Sequence, residues 1–139
     1  MEMERIKGRN SKWREKRKFH RIQDNILIFC RQEPYNRIIE WITKDISEMG
    51  LRFESDEFIA PSTSMEIEIY QPLNYRKSRI ISIYVLAKVV WIKKIKRKNR
   101  YVASNRYIGG VKFTKISKQD RSIIANYVKE RLKKGDSSL

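Results

Sequence analysis

The sequence predicts an all-β fold: an antiparallel barrel or curled sheet of six strands, preceded by a basic N-terminal arm and closed by one C-terminal α-helix. Three observations carry that expectation. Runs rich in β-branched and aromatic residues recur through the middle of the chain, separated by clusters of Pro, Gly, Asn, Ser or Asp. Within these runs apolar and polar residues alternate with period two. Helical spacing of apolar residues appears only at the end of the chain. Strands that succeed one another without intervening amphipathic helices argue against a βαβ fold and for an antiparallel one.

The strand candidates are NILIFCRQ (25–32), RIIEWITKDI (37–46), GLRFES (50–55), SMEIEIYQP (64–72), ISIYVLAKVVWIKKI (81–95) and RYIGGVKFTKI (106–116). Met65, Ile67 and Ile69 alternate with Glu66, Glu68 and Tyr70, the pattern of a sheet with one wet face. Leu51 and Phe53 alternate in the same way with Arg52 and Glu54. In SKQDRSIIANYVKERLKKG the period changes. Ser117 is placed as an N-cap with Asp120 three positions on, and Ser122 offers a later start. Ile123, Ile124, Tyr127, Val128 and Leu132 then form one apolar stripe, and Gly135 closes a helix expected over about 118–134. Lys133 and Lys134 sit where the negative end of that helix favours cations.

With 139 residues the chain is expected to be one domain with a real core, folding at residues 14–134 behind a flexible arm at 1–13. No run approaches the roughly 20 apolar residues of a membrane helix. The opening MEMERIKGRNSKW lacks the apolar core and cleavage site of a secretion signal. A soluble cytoplasmic protein is therefore expected. Cys30, in the apolar run NILIFC, is the sole cysteine, and His20 the sole histidine. They allow neither an intrachain disulfide nor a soft-ligand metal cluster, so no cofactor is expected and Cys30 reads as core filler.

Charge is the feature out of proportion. Lys and Arg number 32 against 16 Asp and Glu, a formal net charge of +16. Such an excess attracts anionic partners and does not specify a fold. The first 23 residues are polar and basic, with Trp13 and Phe19 as their only large anchors. A second basic stretch, KVVWIKKIKRKNRYVASNR (88–106), carries eight basic side chains and no acidic one. It reads as a solvated strand end and hairpin loop, or as a secondary surface for phosphate, lipid headgroups or an acidic protein.

Two short motifs carry chemistry. In RKFHR (17–21), Arg17 and Arg21 lie on one side about 13 Å apart if the segment is extended at ~3.3 Å per residue. A guanidinium fork matches phosphate oxygens or the O6 and N7 edge of guanine, and its flat face stacks on a base. In DISEMG (45–50), Asp45 and Ser47 project to one side while Ile46 faces the core. A carboxylate only accepts hydrogen bonds, so it complements the N–H donors of guanine, and the hydroxyl beside it both donates and accepts. Gly50 permits a positive φ or a close approach of a ligand to the backbone. Asp, Ser and Gly at a strand junction also make an ordinary turn, and an Arg-x-x-x-Arg spacing alone is weak in so basic a chain. Together the motifs form a complementary set for a guanine nucleotide.

Arg17-x-x-x-Arg21 followed by Asp45-x-Ser47-x-x-Gly50 resembles the PilZ domain, a bacterial receptor for cyclic di-GMP. The resemblance extends over about residues 14–132, through EIEIYQP, AKVVWI, GGVKFTKIS and the closing DRSIIANYVKERL. It implies a six-stranded antiparallel barrel with a C-terminal helix. It further implies that Arg17 and Arg21 wrap across the ligand, that Asp45 and Ser47 read a guanine, and that Gly50 keeps the turn open. Lys16, just before the first arginine, is basic as in family members that bind a stacked pair of ligands. Ala87 departs from the glycine often found before the KVVW-like stretch. The resemblance also implies an effector protein that responds to the liganded state, in pathways such as motility, exopolysaccharide synthesis or attachment.

No nucleophile with its base, metal cluster or P-loop is evident in the sequence, so an enzyme is not expected. Two other readings compete. A small nucleic-acid-binding barrel draws on the net charge, Trp91 and the tyrosines near the basic hairpin, but DISEMG would set acid near a polyanion. A PilZ-like interaction module with a lapsed site is opposed by the complete set of motif residues.

Overall fold

The computed structural model describes residues 20–32, 37–74, 76–95 and 106–135. Among them lie strands β1 (Arg21–Gln23), β2 (Leu27–Gln32), β3 (Arg37–Ser47), β4 (Gly50–Ser55), β5 (Ser64–Pro72), β6 (Ile80–Ile95) and β7 (Arg106–Lys115), and helix α1 (Lys118–Gly135). Six strands close a ring in the order β3, β2, β5, β6, β7, β4 and back to β3, each pairing antiparallel. Closure removes the exposed sheet edges that an open sheet of these short strands would leave. The expected strand boundaries match to within two residues.

Period-two alternation sorts the side chains between the inside and the outside of the barrel. Met65, Ile67 and Ile69 are buried, as are Leu51 and Phe53 on β4 and Ile83, Val85, Ala87 and Val89 on β6. Trp41 stacks face to face on Phe53, with ring centroids 4.0 Å apart. Each large apolar side chain buried in this way contributes about 1.5–3 kcal/mol. Cys30 sits in the same interior, where burial pushes its thiol pKa far above the ordinary value.

The seventh strand was not expected. β1 lies within the polar, basic first 23 residues, behind the expected arm, yet it pairs antiparallel with the end of β3, matching Arg21 to Ser47 and Gln23 to Asp45. β2 and β1 thus occupy successive stretches of one edge of β3. Thr43 fills the break between them. Its hydroxyl donates to the Asp24 carbonyl at 2.7 Å and accepts from the Ile26 N–H at 2.9 Å. The apolar residue that secures β1 is Ile22, which is buried beside its partner Ile46. A single isoleucine among charged neighbours is too short a signal for periodicity to detect.

Helix α1 starts as its sequence indicates. The Ser117 hydroxyl accepts the Asp120 N–H at 3.0 Å, and the Ser117 carbonyl accepts the Arg121 N–H at 2.9 Å. Ile124, Tyr127 and Val128 are buried, and Ile123 and Leu132 pack against the core at its margin. The helix contacts β1 and β3, so it braces the two strands that carry Arg21 and Asp45.

Candidate ligand site

β1, β3 and β4 place the described motif residues on one outward face. Register pairs Arg21 with Ser47, Gln23 with Asp45, and Asp45 with Arg52, and directly paired residues share a face. Ile22, Ile46 and Leu51 project inward between them. Asp45 therefore points away from the barrel interior even though it is only 3% exposed. Guanidiniums cover it.

Arg52 Nε donates to Asp45 Oδ2 at 2.5 Å, and Arg21 Nε lies 3.9 Å from the same oxygen. Both arginines remain about one-third exposed, with side-chain values of 30% and 39%, so the carboxylate is shielded by groups that can move. A charge-assisted bond of this kind is roughly twice as strong as a neutral one. Arg52 was missed at the sequence level. Its signal is its place in GLRFES, two residues into the strand that follows the DISEMG turn, where it faces the same side as Asp45.

Ser47 is engaged in the turn. Its hydroxyl accepts the Met49 N–H at 3.1 Å and donates to the Gly50 carbonyl at 3.4 Å. Gly50 does not adopt a positive φ. Glycine is required there because a Cβ would lie 2.1 Å from the Val111 carbonyl oxygen of β7. The close approach at Gly50 is thus one of strand to strand.

Gly110 on β7 faces Arg52 on one side and Trp91 of β6 on the other. A Cβ at Gly110 would come within 2.4 Å of Trp91 Nε1, so the missing side chain lets the indole lie over β7 at Gly110. Trp91 is 37% exposed and is separated from Arg52 in the sheet by Gly110, which pairs with both. A hollow of about 450 Å³ adjoins, lined by Gln23, Asp24, Lys44, Arg52 and Lys77 among others. Glu54 lies alongside, accepting from Lys44 at 2.8 Å and Arg106 at 2.9 Å. The hydrogen bond from Lys44 leads the effects that hold its carboxyl below the ordinary value, against burial, with Arg106 adding to it.

Lys16 and Arg17 lie outside the described residues, as do positions 1–13 of the expected arm and 96–105 of the basic hairpin. His20 is exposed just before β1. Among the described residues no group of three or more His, Cys, Asp or Glu side chains is placed to hold a metal ion, and no helix is long and apolar enough to cross a membrane.

The family model that matches this chain is that of the PilZ domain, over residues 15–130. The chain belongs to the PilZ domain family. Solved structures similar to this PilZ chain include the Bacillus subtilis inhibitor of motility MotI/DgrA, with a TM-score of 0.67 and 17% identity, covering 85% of this chain and 52% of that one. The chain thus spans about half the length of that protein. The PilZ domain of Escherichia coli YcgR, solved with c-di-GMP, aligns with a TM-score of 0.58 and 14% identity over 86% of this chain and 97% of its own. Borreliella burgdorferi PlzA in complex with c-di-GMP aligns with a TM-score of 0.58 and 12% identity over 94% of this chain and 58% of its own. At such identities the likeness is one of fold. No match was found among curated proteins.

Proposed function

We propose that this PilZ domain is a receptor for cyclic di-GMP and has no enzymatic activity. The observation that carries the reading is the outward Asp45 carboxylate held under the guanidiniums of Arg21 and Arg52, beside Ser47. A guanine presents two N–H donors to a carboxylate, and a cyclic dinucleotide presents two phosphates to guanidiniums, so the ligand can take over both halves of the existing ion pair. Asp45 exchanges Arg52 for the guanine edge. Arg52 and Arg21 turn to phosphate or to the O6 and N7 edge, joined by Arg17 from the preceding segment. Ser47 supports the base, and Trp91 supplies a stacking surface for a purine. Lys16 favours a stacked pair of ligands. Gly50 contributes by keeping β4 against β7.

In this reading residues 14–134 are the receptor and residues 1–13 its arm, and the protein works inside the cell. Ordering the stretch ahead of β1, which carries Lys16 and Arg17, costs about 1–2 kcal/mol of backbone entropy per residue, which makes it a usable switch: free when the site is empty, docked when it is filled. The docked state then signals to a partner protein. Equal amide-exchange protection of residues 5–21 with and without ligand would exclude the switch while leaving binding itself to be judged separately.

The net charge of +16 favours one competing reading, a nucleic-acid-binding barrel. Competition at moderate salt separates the two. A receptor retains labelled cyclic di-GMP against excess single-stranded or duplex oligonucleotide. A nucleic-acid binder releases it or never takes it up.

A further inference from the structure

The wall of the barrel opposite the ligand site carries an apolar groove flanked by carboxylates. In the closed ring β5 lies three strands from β4 in either direction, so Glu66 and Glu68 face away from Arg52. There the outward residues of β2, β5 and β6 meet the start of α1 around an open groove of about 590 Å³. Phe29, Ile38, Tyr84 and Leu86 supply its apolar surface, and Ile38, Tyr84 and Leu86 are exposed. These apolar side chains are gathered around one concave surface rather than scattered singly.

The charged groups at this groove reverse the balance of the chain. Overall, cations outnumber anions 32 to 16. At the groove Glu66, Glu68 and Asp120 stand against Arg31 and Lys115. Arg31 is already within 3.8 Å of Glu66, and Glu68 accepts the Tyr84 hydroxyl at 2.8 Å. Leu86 lies directly across from Glu66, and Tyr84 across from Glu68, so each carboxylate sits beside an apolar neighbour. An acidic partner would be drawn to the basic remainder of the surface. This groove is suited to the opposite charge.

We propose that the β2–β5–β6 groove is a docking surface for a partner protein, which inserts a segment carrying Lys or Arg between apolar side chains. Its apolar residues cover Phe29, Tyr84 and Leu86, and its cations meet Glu66 and Glu68. The surface is formed without the ligand site, so it stands whether or not cyclic di-GMP binds.

The test uses the full 139-residue chain, labelled with nitrogen-15, and a synthetic leucine–lysine peptide, with the leucine–glutamate analogue as the control. The lysine peptide is expected to shift amides of β2, β5 and β6 at the groove. The combined Glu66→Lys and Glu68→Lys variant should weaken binding at least about tenfold, and Leu86→Ser should weaken it independently. These side chains face solvent, and unchanged amide positions elsewhere verify the fold of each variant. The proposal is overturned by the absence of shifts at the groove, by equal affinity in the charge-reversed variant, or by a glutamate peptide that binds there as well. Two further results also overturn it by assigning the groove to another occupant. Groove shifts on deletion of residues 1–19 without peptide assign it to the chain's own N-terminus, and groove shifts that follow protein concentration assign it to a second copy.

Discussion

The phenol of Tyr127 on α1 donates its hydrogen bond to the carboxylate of Asp24, the residue that immediately follows β1. Lys77 Nζ, from the connection between β5 and β6, reaches the same carboxylate at 2.7 Å, and Arg131 Nη1 of α1 reaches it at 3.3 Å. Asp24 is thus a knot joining β1, the helix and the β5–β6 loop, three residues from Arg21. Burial alone would raise its pKa. Hydrogen bonds from Lys77 and Tyr127, with the charges of Lys77 and Arg131, more than offset this and hold the carboxyl below 3.8. Tyr127 is pushed the other way, first by burial and then by its bond to Asp24.

That depression sets the pH dependence of stability. Asp24 stabilises the fold fully above its unfolded value of 3.8, and the contribution is lost as pH falls through the lower folded value. Asp24→Asn should cost about 1–3 kcal/mol at neutral pH by leaving Lys77 and Arg131 without their anion. In urea unfolding, the gap between wild type and variant should narrow as pH drops below the ordinary carboxyl range. A gap that stays constant through that range would contradict the assignment.

Gly50→Ala tests whether this glycine serves the ligand or the barrel. Its Cβ would collide with the Val111 carbonyl, a backbone atom that cannot rotate away. The expected outcome is a loss of about 1–3 kcal/mol in stability, the usual cost of overpacking, whether or not ligand is present. A variant of unchanged thermal midpoint with lost ligand binding would instead place Gly50 at the ligand.

Arg52 and Asp45 should be energetically coupled in the ligand-free protein. A double-mutant cycle of Arg52→Ala and Asp45→Ala, read by chemical denaturation, should give a coupling of about 1–3 kcal/mol. Values near zero would mean that the ion pair over Asp45 contributes nothing beyond a loosely held surface contact.

The barrel was legible in the sequence because a half-buried strand displays its two faces as alternation. SMEIEIYQP shows this over its whole length, and Ser117 with the stripe from Ile123 to Leu132 marks the helix just as directly. β1 was not legible, because three residues with one buried isoleucine make no period and the pairing that orders them comes from β3, more than twenty positions away. The candidate site was legible in part. Spacing puts Asp45 and Ser47 on one side, but only the register of β4 shows that Arg52 takes the Asp45 oxygen. Likewise only the pairing of β4 with β7 shows that Gly50 is demanded by Val111. Cross-strand neighbours leave little trace in a single sequence, since either partner looks like an ordinary exposed residue alone.

Calorimetric titration of the full chain with cyclic di-GMP, repeated on Asp45→Ala, tests the central claim most directly. The account predicts saturable binding by the wild type, with two ligands per chain. It also predicts an affinity loss of about 1–3 kcal/mol in a variant that remains folded, the worth of one good base-edge contact. No heat of binding, or equal affinity in the two proteins, would contradict it.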